Sequence, residues 1–339
     1  MKNPSVSVVI AAYHGEKFIG EQLQSLFRQT FLPTEILIGD DSSDDLTANT
    51  VRSVAAESLC PVKIIKNQSR LGCVQNFSNL AERAAGDIIF FCDQDDVWLP
   101  DKIEKMINEF QKHPGTAVVF CSSRFVDKNL NDMNLSTADI LRVSISAVKK
   151  INENMDMKDF IRSPMMYGHN IAVRKNVLTG VLPIPARVKS YDLYLNYALS
   201  VQQIRCIPED LTLFRRHENN FSEQAVFWKR VCNIISQKNN TELFDTWNQL
   251  DAALFMLENN KSSMSPEMLK RFRLLQCTRD FYRERMIFSS GNILHRLRCF
   301  LILKKYILYS FGIKSFARDI ILGTKLSAEM KTSIQSENQ

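Results

Sequence analysis

Over its first hundred residues the chain alternates short apolar runs with longer amphipathic stretches. Ser5 to Ala12 (SVSVVIAA), Glu35 to Gly39 (EILIG), Val62 to Lys66 and Ile88 to Cys92 read as strands. Their near-continuous apolar character predicts burial on both faces, as in a parallel sheet. Between them, Gly15 to Gln29 places Ile19, Leu23, Leu26 and Phe27 at i, i+4, i+7 and i+8, and Cys73 to Ala84 places Val74, Phe77, Leu80 and Ala84 on one face. That is the period of helices. Pro33 breaks the first helix, and the side chains of Asp44 and Asp45 suit the start of a helix after the second strand. This rhythm predicts an α/β fold, a Rossmann-like and mostly parallel sheet flanked by helices.

Beyond residue 100 the pattern loosens. Pro100 opens a helix with Ile103, Met106, Ile107 and Phe110 inward. Thr116 to Ser122 and Met165 to Val173 read as strands, Tyr191 to Ser200 as a helix, and Ile204 to Ile207 and Leu211 to Phe214 as two short strands. Residues 128–160 are polar and mixed, read as a loop and a helix. From about 225 onward only helical patterns occur, with Ser265-Pro266-Glu267 a well-formed helix start. The expected division is an α/β domain over 1–225, in two parts (1–125 and 126–225), and an all-helical, basic C-terminal extension over 226–339.

Composition changes this picture little: 339 residues, 45% hydrophobic and 24% charged, is an ordinary globular balance. No apolar run approaches the roughly 20 residues needed to span a bilayer. The first residues enter a strand without a secretory signal, and eight cysteines form no Cys-x-x-Cys pair, which together predict reduced thiols in a cytoplasmic protein. The net charge of +6 matters more, because much of the excess lies late, in Arg271, Arg273, Arg279, Arg283, Arg285, Arg296, Arg298, Lys304 and Lys305. No nucleic-acid-binding motif accompanies it, so no nucleic acid is expected as partner. Ile293 to Ile321 mixes apolar and cationic residues without being able to span. It reads either as helices whose Arg and Lys snorkel over a small core, or as peripheral contact with an anionic membrane.

The candidate chemistry sits at strand ends. The second strand stops at Asp40 and Asp41, and the fourth at Asp93, Asp95 and Asp96. Open α/β sheets keep their ligands at such C-terminal ends. Three acids in four residues repel one another unless a positive group lies between them. Either a divalent metal, Mg2+ or Mn2+, takes their oxygens and shares them with substrate phosphates, or the cluster is a solvated acidic turn.

An ordered set of segments carries a resemblance. Ser7-Val-Val-Ile-Ala-Ala-Tyr13, Glu35-Ile-Leu-Ile-Gly-Asp-Asp-Ser-Ser-Asp44, Asn67-Gln-Ser-Arg-Leu-Gly72 and Gly86-Asp-Ile-Ile-Phe-Phe-Cys-Asp-Gln-Asp-Asp96 follow at plausible spacing. Together they resemble the family 2 glycosyltransferases of the GT-A fold, over about residues 5–225. The Cys-Asp-Gln-Asp-Asp-Val-Trp wording is most similar to bacterial polysaccharide enzymes of the rhamnosyltransferase type. The resemblance implies an inverting transfer from a nucleoside-diphosphate sugar, a UDP- or dTDP-sugar with dTDP-rhamnose among the candidates. The acceptor it implies is a saccharide or a polyprenyl-linked saccharide, in surface polysaccharide assembly at the inner face of the cell membrane.

By the same resemblance Asp95, with Asp93 and Asp96 near it, holds the metal. Ala11, Tyr13, Asp40 and Asp41 line the nucleoside pocket, Arg70 pairs with the diphosphate, and His217 closes over it or joins the metal. Asp192 is the general base; the family's usual neighbour before it is His or Glu, and here it is Tyr191. Gly168, His169 and Asn170 fall on the acceptor-facing strand. Residues 1–125 then form the donor part and 126–225 the acceptor part. Three competitors stand beside this reading. A phosphoaspartate receiver or phosphohydrolase lacks support, since the first strand ends in Ala11-Ala-Tyr. A sugar-1-phosphate nucleotidyltransferase wants a glycine-rich basic loop, of which Tyr13-His-Gly-Glu-Lys17 is a poor version. The third is a non-catalytic nucleotide-sugar-binding protein.

Overall fold

The structure, a computed structural model, describes residues 3–56, 58–141, 145–153, 160–161, 164–217, 240–290, 293–310 and 313–321. The chain forms two compact units, residues 1–156 with 165–220, and residues 157–164 with 221–339.

The first unit is built on a nine-stranded sheet. Strands β1 (Val6–Ala12), β2 (Glu35–Asp40), β3 (Val62–Lys66) and β4 (Ile88–Asp93) alternate with helices α1 (Ile19–Phe27), α2 (Leu46–Ala55) and α3 (Gly72–Arg83). These four strands are parallel, in the order β3-β2-β1-β4. The runs of β1, β2 and β4 are buried on both faces as their pattern requires, whereas β3, expected to be buried likewise, lies at the sheet edge and is only partly covered. Val6, Val8 and Ile10 pack with Ile19, Leu23 and Leu26 of α1 and with Ile103, Met106 and Phe110 of α4 (Lys102–Lys112). On the other face Phe91 meets Phe77 of α3 at 5.7 Å between ring centroids.

Past β4 the sheet continues β8-β6-β9-β5, with β5 (Val97–Trp98), β6 (Val118–Val126), β8 (Ile171–Arg174) and β9 (Ile204–Arg215). β8 runs antiparallel to β4 and β6, whereas β6 and β9 are parallel. Two expectations need correcting here. Ile204 to Ile207 and Leu211 to Phe214 are one strand: the register against β6 shifts between Cys121 and Ser122 and again between Ser122 and Ser123, with the slack at Pro208 and Glu209 and then at Leu211. Pro208 has no N–H to give a ladder, so a bulge absorbs it. The first half of Met165 to Val173 is not strand; Gly168–Asn170 is a 3-10 turn, closed by the Tyr167 N–H donating to Asn170 Oδ1 at 3.0 Å.

The polar stretch after 126 contains β7 (Asp132–Ser136), a hairpin partner of β6, then α5 (Thr137–Leu141) and α6 (Ile145–Asn152); most of 154–163 lies outside the described residues. Helix α8 (Tyr191–Leu199) follows the short α7 (Lys175–Leu178).

The second unit is helical where described: α9 (Asn240–Glu258), α10 (Pro266–Ser289), α11 (Ile293–Arg296), α12 (Leu303–Tyr309) and α13 (Ile313–Ile321). Ser265 caps α10, its hydroxyl accepting from the Met268 N–H, with Pro266 in the first turn. Its core joins Phe281, Cys299, Ile302 and Tyr306. Inside it the Arg285 guanidinium pairs with Asp319, which also accepts from the Tyr306 hydroxyl at 2.6 Å. No helix among the described residues is long and apolar enough to cross a membrane.

Candidate active site

The parallel registers bring the acidic strand ends to one edge. Ala12 of β1 lies beside Asp40, and Ala11 beside Asp93. Gln94 fastens the acid loop to that edge: its side chain accepts from the Tyr13 N–H at 2.9 Å and donates to the Tyr13 carbonyl at 3.1 Å. Gly15 makes room for this, because a Cβ there would stand 2.3 Å from Gln94 Oε1.

Asp40 and Asp41 are buried and engaged. Asp40 Oδ1 accepts from the Ser42 N–H at 2.9 Å, and Lys66 Nζ lies 3.4 Å from Oδ2. Asp41 accepts from Asn67 Nδ2 (2.8 Å), the Leu71 N–H (3.2 Å) and the Gly72 N–H (2.8 Å). It therefore organises the 67–72 loop that carries Arg70. The Arg70 guanidinium lies over the exposed Tyr13 ring, 3.9 Å from its centroid. Tyr13 and Arg70, separate in sequence, form one wall.

The three central acids have different surroundings. Asp93 is half-buried; its Oδ1 accepts from the Tyr191 hydroxyl at 3.3 Å, and its Oδ2 lies 3.7 Å from His169 Nδ1. Asp96 is fully buried; its Oδ1 accepts from the Arg215 N–H at 3.1 Å, while Oδ2 has no hydrogen-bond partner among the described residues and lies 3.9 Å from the same His169 nitrogen. Asp95 faces the other way, with Oδ2 2.9 Å from His217 Nε2. The His217 ring stacks on Phe18 at 4.6 Å, and its segment beyond residue 217 lies outside the described residues.

Burial, and then the charges of Asp95 and Asp93, push the Asp96 carboxyl well above its ordinary range. Arg215 opposes this through its backbone N–H and Lys102 through its charge. Arg215 is buried, donates to the Asp95 carbonyl at 2.8 Å and to the Lys128 carbonyl at 2.7 Å, and pairs with Glu21. Lys102, fully buried, donates to the His169 carbonyl and to Thr212 Oγ1, each at 2.7 Å, and sits 3.7 Å over the Trp98 ring. Burial lowers its pKa, opposed by the charges of Asp96 and Asp93 among others.

A divalent cation fits this donor set. One ligand atom each from Asp93, Asp96 and His169 lie within 4.8 Å of one another, and the partnerless Asp96 oxygen points among them. His169 Nε2 is 2.9 Å from Ser123 Oγ, so Nε2–H donating to Ser123 leaves the Nδ1 lone pair toward the acids. The Asp95–His217 contact offers a second carboxylate–imidazole pair, less buried than Asp96 and His169.

Asp192 opens α8. Its Oδ1 accepts from the Leu193 N–H at 2.8 Å and from the Ser190 hydroxyl. Burial raises its pKa, against those two hydrogen bonds. Its neighbour Tyr191, the departure noted in the sequence, is the residue that reaches Asp93. Burial, and then the charge of Asp93, push the Tyr191 hydroxyl well up, so it stays a donor. Gln94, Lys102, Tyr191 and Arg215 are the site residues that sequence reasoning missed. Gln94 and Tyr191 adjoin acids already singled out, and Arg215 lies two positions before His217, whereas Lys102 had no signal.

The sequence profile of the family described as glycosyl transferase family 2 matches residues 7–182. An uncharacterized protein of Mycobacterium tuberculosis is 27% identical over 234 residues, which cover 66% of this chain and 64% of that protein, so the match spans less than two thirds of its length. The Escherichia coli UDP-Glc:alpha-D-GlcNAc-diphosphoundecaprenol beta-1,3-glucosyltransferase WfgD is 31% identical over 108 residues, covering 32% of this chain and 42% of that enzyme. Among solved structures, the Pyrobaculum calidifontis mannosyltransferase PcManGT in complex with GDP-Man and Mn2+ superposes with TM-score 0.53 at 14% identity, over 100% of this chain and 85% of that one. The S. aureus TarS 1-349 complex with UDP-GlcNAc gives TM-score 0.53 at 15% identity, over 99% and 92%. These likenesses establish the GT-A architecture that the resemblance implied. With the profile covering β1 to β4, the acid loop and β8, the chain belongs to glycosyl transferase family 2.

Proposed function

We propose that the protein is an inverting, metal-assisted hexosyltransferase of bacterial surface polysaccharide assembly. In this reading it moves a sugar from a UDP- or dTDP-sugar, dTDP-rhamnose among the candidates, to a saccharide or polyprenyl-linked saccharide. The observation that carries it is the convergence on one sheet edge of Asp93, Asp95 and Asp96 with two imidazoles, beside the Tyr13–Arg70 wall. Support for the nucleotide comes from relatives whose names carry UDP-glucose and UDP-GlcNAc, and for a lipid-linked acceptor from the diphosphoundecaprenol in one of those names.

Residues 1–125 hold the donor. Ala11 and Tyr13 face the base, and Asp40 and Asp41 accept from base and ribose through the lone pairs that their internal partners leave. Arg70 supplies a charge-assisted contact to the diphosphate. Asp95 with His217, the less buried pair, faces the substrate side, with Asp93 adjoining. Asp96 and His169 stand behind them as the buried end of the cluster. A divalent cation bound there supplies Lewis-acid charge to the departing diphosphate. On the acceptor side, residues 126–225, Asp192 takes the hydroxyl proton as attack develops. One base and one displacement invert the anomeric centre. The polyprenyl carrier implies work at the cytoplasmic face of the membrane.

Calorimetry with UDP- and dTDP-sugars, with and without Mn2+, tests the reading. Binding that requires the metal, lost in Asp95→Asn and in His217→Ala, is expected. Binding indifferent to metal would sink it.

A further inference from the structure

The helical unit carries a surface that the transfer chemistry does not use. Over residues 294–307, Leu294, Leu297, Phe300, Leu301 and Ile307 are exposed large apolar side chains, with Leu301 78% and Leu294 73% exposed. They are not loose ends of the core, because Cys299, Ile302 and Tyr306 of the same stretch are buried on the opposite side. Leu297, Phe300 and Leu301 lie on the 3-10 turn Leu297–Ile302 and Lys304 and Ile307 on α12, all exposed, while Cys299, Ile302 and Tyr306 between them are buried.

Charge decides what covers it. Between Glu284 and Asp319 the sequence has no acidic residue and seven cations, Arg285, Arg296, Arg298, Lys304, Lys305, Lys314 and Arg318. Arg285 and Lys305 are satisfied by Asp319 and Glu284. Arg298 and Lys304 are exposed among the apolar side chains. A second copy of the chain on this face would set those cations against their own equivalents. An anionic bilayer surface instead offers headgroup charge to the cations and acyl chain to the leucines, the pairing that interfacial helices use.

We propose that the Leu294–Ile307 face seats the enzyme on a leaflet rich in anionic phospholipid. This rests on the transferase reading for its purpose, which is to bring the active site to a lipid-linked acceptor. The surface itself stands on exposure and charge alone.

Flotation of the full-length protein with phosphatidylcholine vesicles, with and without phosphatidylglycerol, tests it. Binding to the anionic vesicles only, released by salt, is expected. Leu301→Glu and the double variant Phe300→Ser/Leu301→Ser should each weaken partition about tenfold or more, and Arg298→Glu roughly fivefold to tenfold. Phe255→Ser removes an apolar side chain exposed elsewhere, on α9, and should leave partition unchanged. UDP-sugar binding, measured on every variant, should not move. Absence of vesicle binding in a wild-type protein that still binds nucleotide sugar overturns the docking face and leaves the transferase reading intact. Vesicle binding without any nucleotide-sugar binding keeps the face and removes the transferase. A dimer that Leu301→Glu dissociates, with no lipid binding, also overturns it.

Discussion

An alanine at position 168 would place its Cβ 1.7 Å from Tyr191 Oη, 2.2 Å from Cζ and 2.6 Å from Cε2. Non-bonded heavy atoms settle at about 3.5–4 Å, so the ring has to retreat by roughly 1.5–2 Å. It has nowhere to go. Tyr191 is buried, with ring centroids 4.3 Å from Phe77 and 5.9 Å from Phe91. Overpacking of this kind costs about 1–3 kcal/mol. The retreat also breaks the hydroxyl's bond to Asp93, and a hydrogen bond to a charged group is worth about 1.5–3 kcal/mol, the low end applying at 3.3 Å. The expected loss for Gly168→Ala is therefore about 3 kcal/mol, seen as a lower urea midpoint. Donor binding in the presence of Mn2+ should weaken with it, because Asp93 loses the group that orients it. The control is a double-mutant cycle: in a Tyr191→Ala background the added methyl meets no ring, and Gly168→Ala should cost below about 0.5 kcal/mol. An equal cost in both backgrounds, or a Gly168→Ala protein as stable as wild type, would refute the role given to this contact.

Other residues give independent outcomes. Glu35 Oε1 accepts from the Ser7 hydroxyl and the Ala85 N–H, each at 2.7 Å, with Lys63 3.3 Å from Oε2. Burial pushes its carboxyl upward, but these partners win and hold it below its ordinary value of 4.5. A depressed folded pKa means stability present above that value and lost as pH falls through the folded one. Glu35→Gln should thus cost about 1–3 kcal/mol in urea titrations at neutral pH, with the gap closing in acid; a gap independent of pH would count against it. Lys102→Met leaves the His169 carbonyl and Thr212 Oγ1 without their donor and Asp96 without a nearby cation. It should destabilise by about 3–5 kcal/mol, and a neutral result in urea denaturation would show that Lys102 does not hold the cluster. Asp192 has a carboxyl raised by burial above 3.8, and a base works only when deprotonated, so the acid limb of the transfer rate should lie above that value. Asp192→Asn should lose transfer and keep donor binding; a variant that transfers normally removes Asp192 as the base.

Much of the first half of the sheet was legible from the chain. β1, β2 and β4 lie where apolar runs predicted them, because a strand buried on both faces must be apolar at successive positions; β3 also lies where predicted, but at the edge and only partly covered. Asp40, Asp41 and Asp93 meet on one edge because parallel strands end on the same side. Helices α1, α3 and α4 followed from one-sided periodicity, and α10 from its Ser-Pro-Glu start.

Sequence could not say which acid faces which partner. That is decided by β9 and α8, residues about a hundred positions away, which bring Arg215, His217 and Tyr191 against an acid loop whose own spacing only announces repulsion. No pattern in the sequence singles out Lys102, at the start of an amphipathic helix. Only the fold turns it inward, between Trp98, Thr212 and the His169 carbonyl. β5 is too short to carry a period, and the bulge in β9 splits one strand into two apolar patches. Pattern reports which face is buried. Only packing assigns neighbours to the polar groups inside, since each buried donor or acceptor needs a partner that the local sequence does not specify.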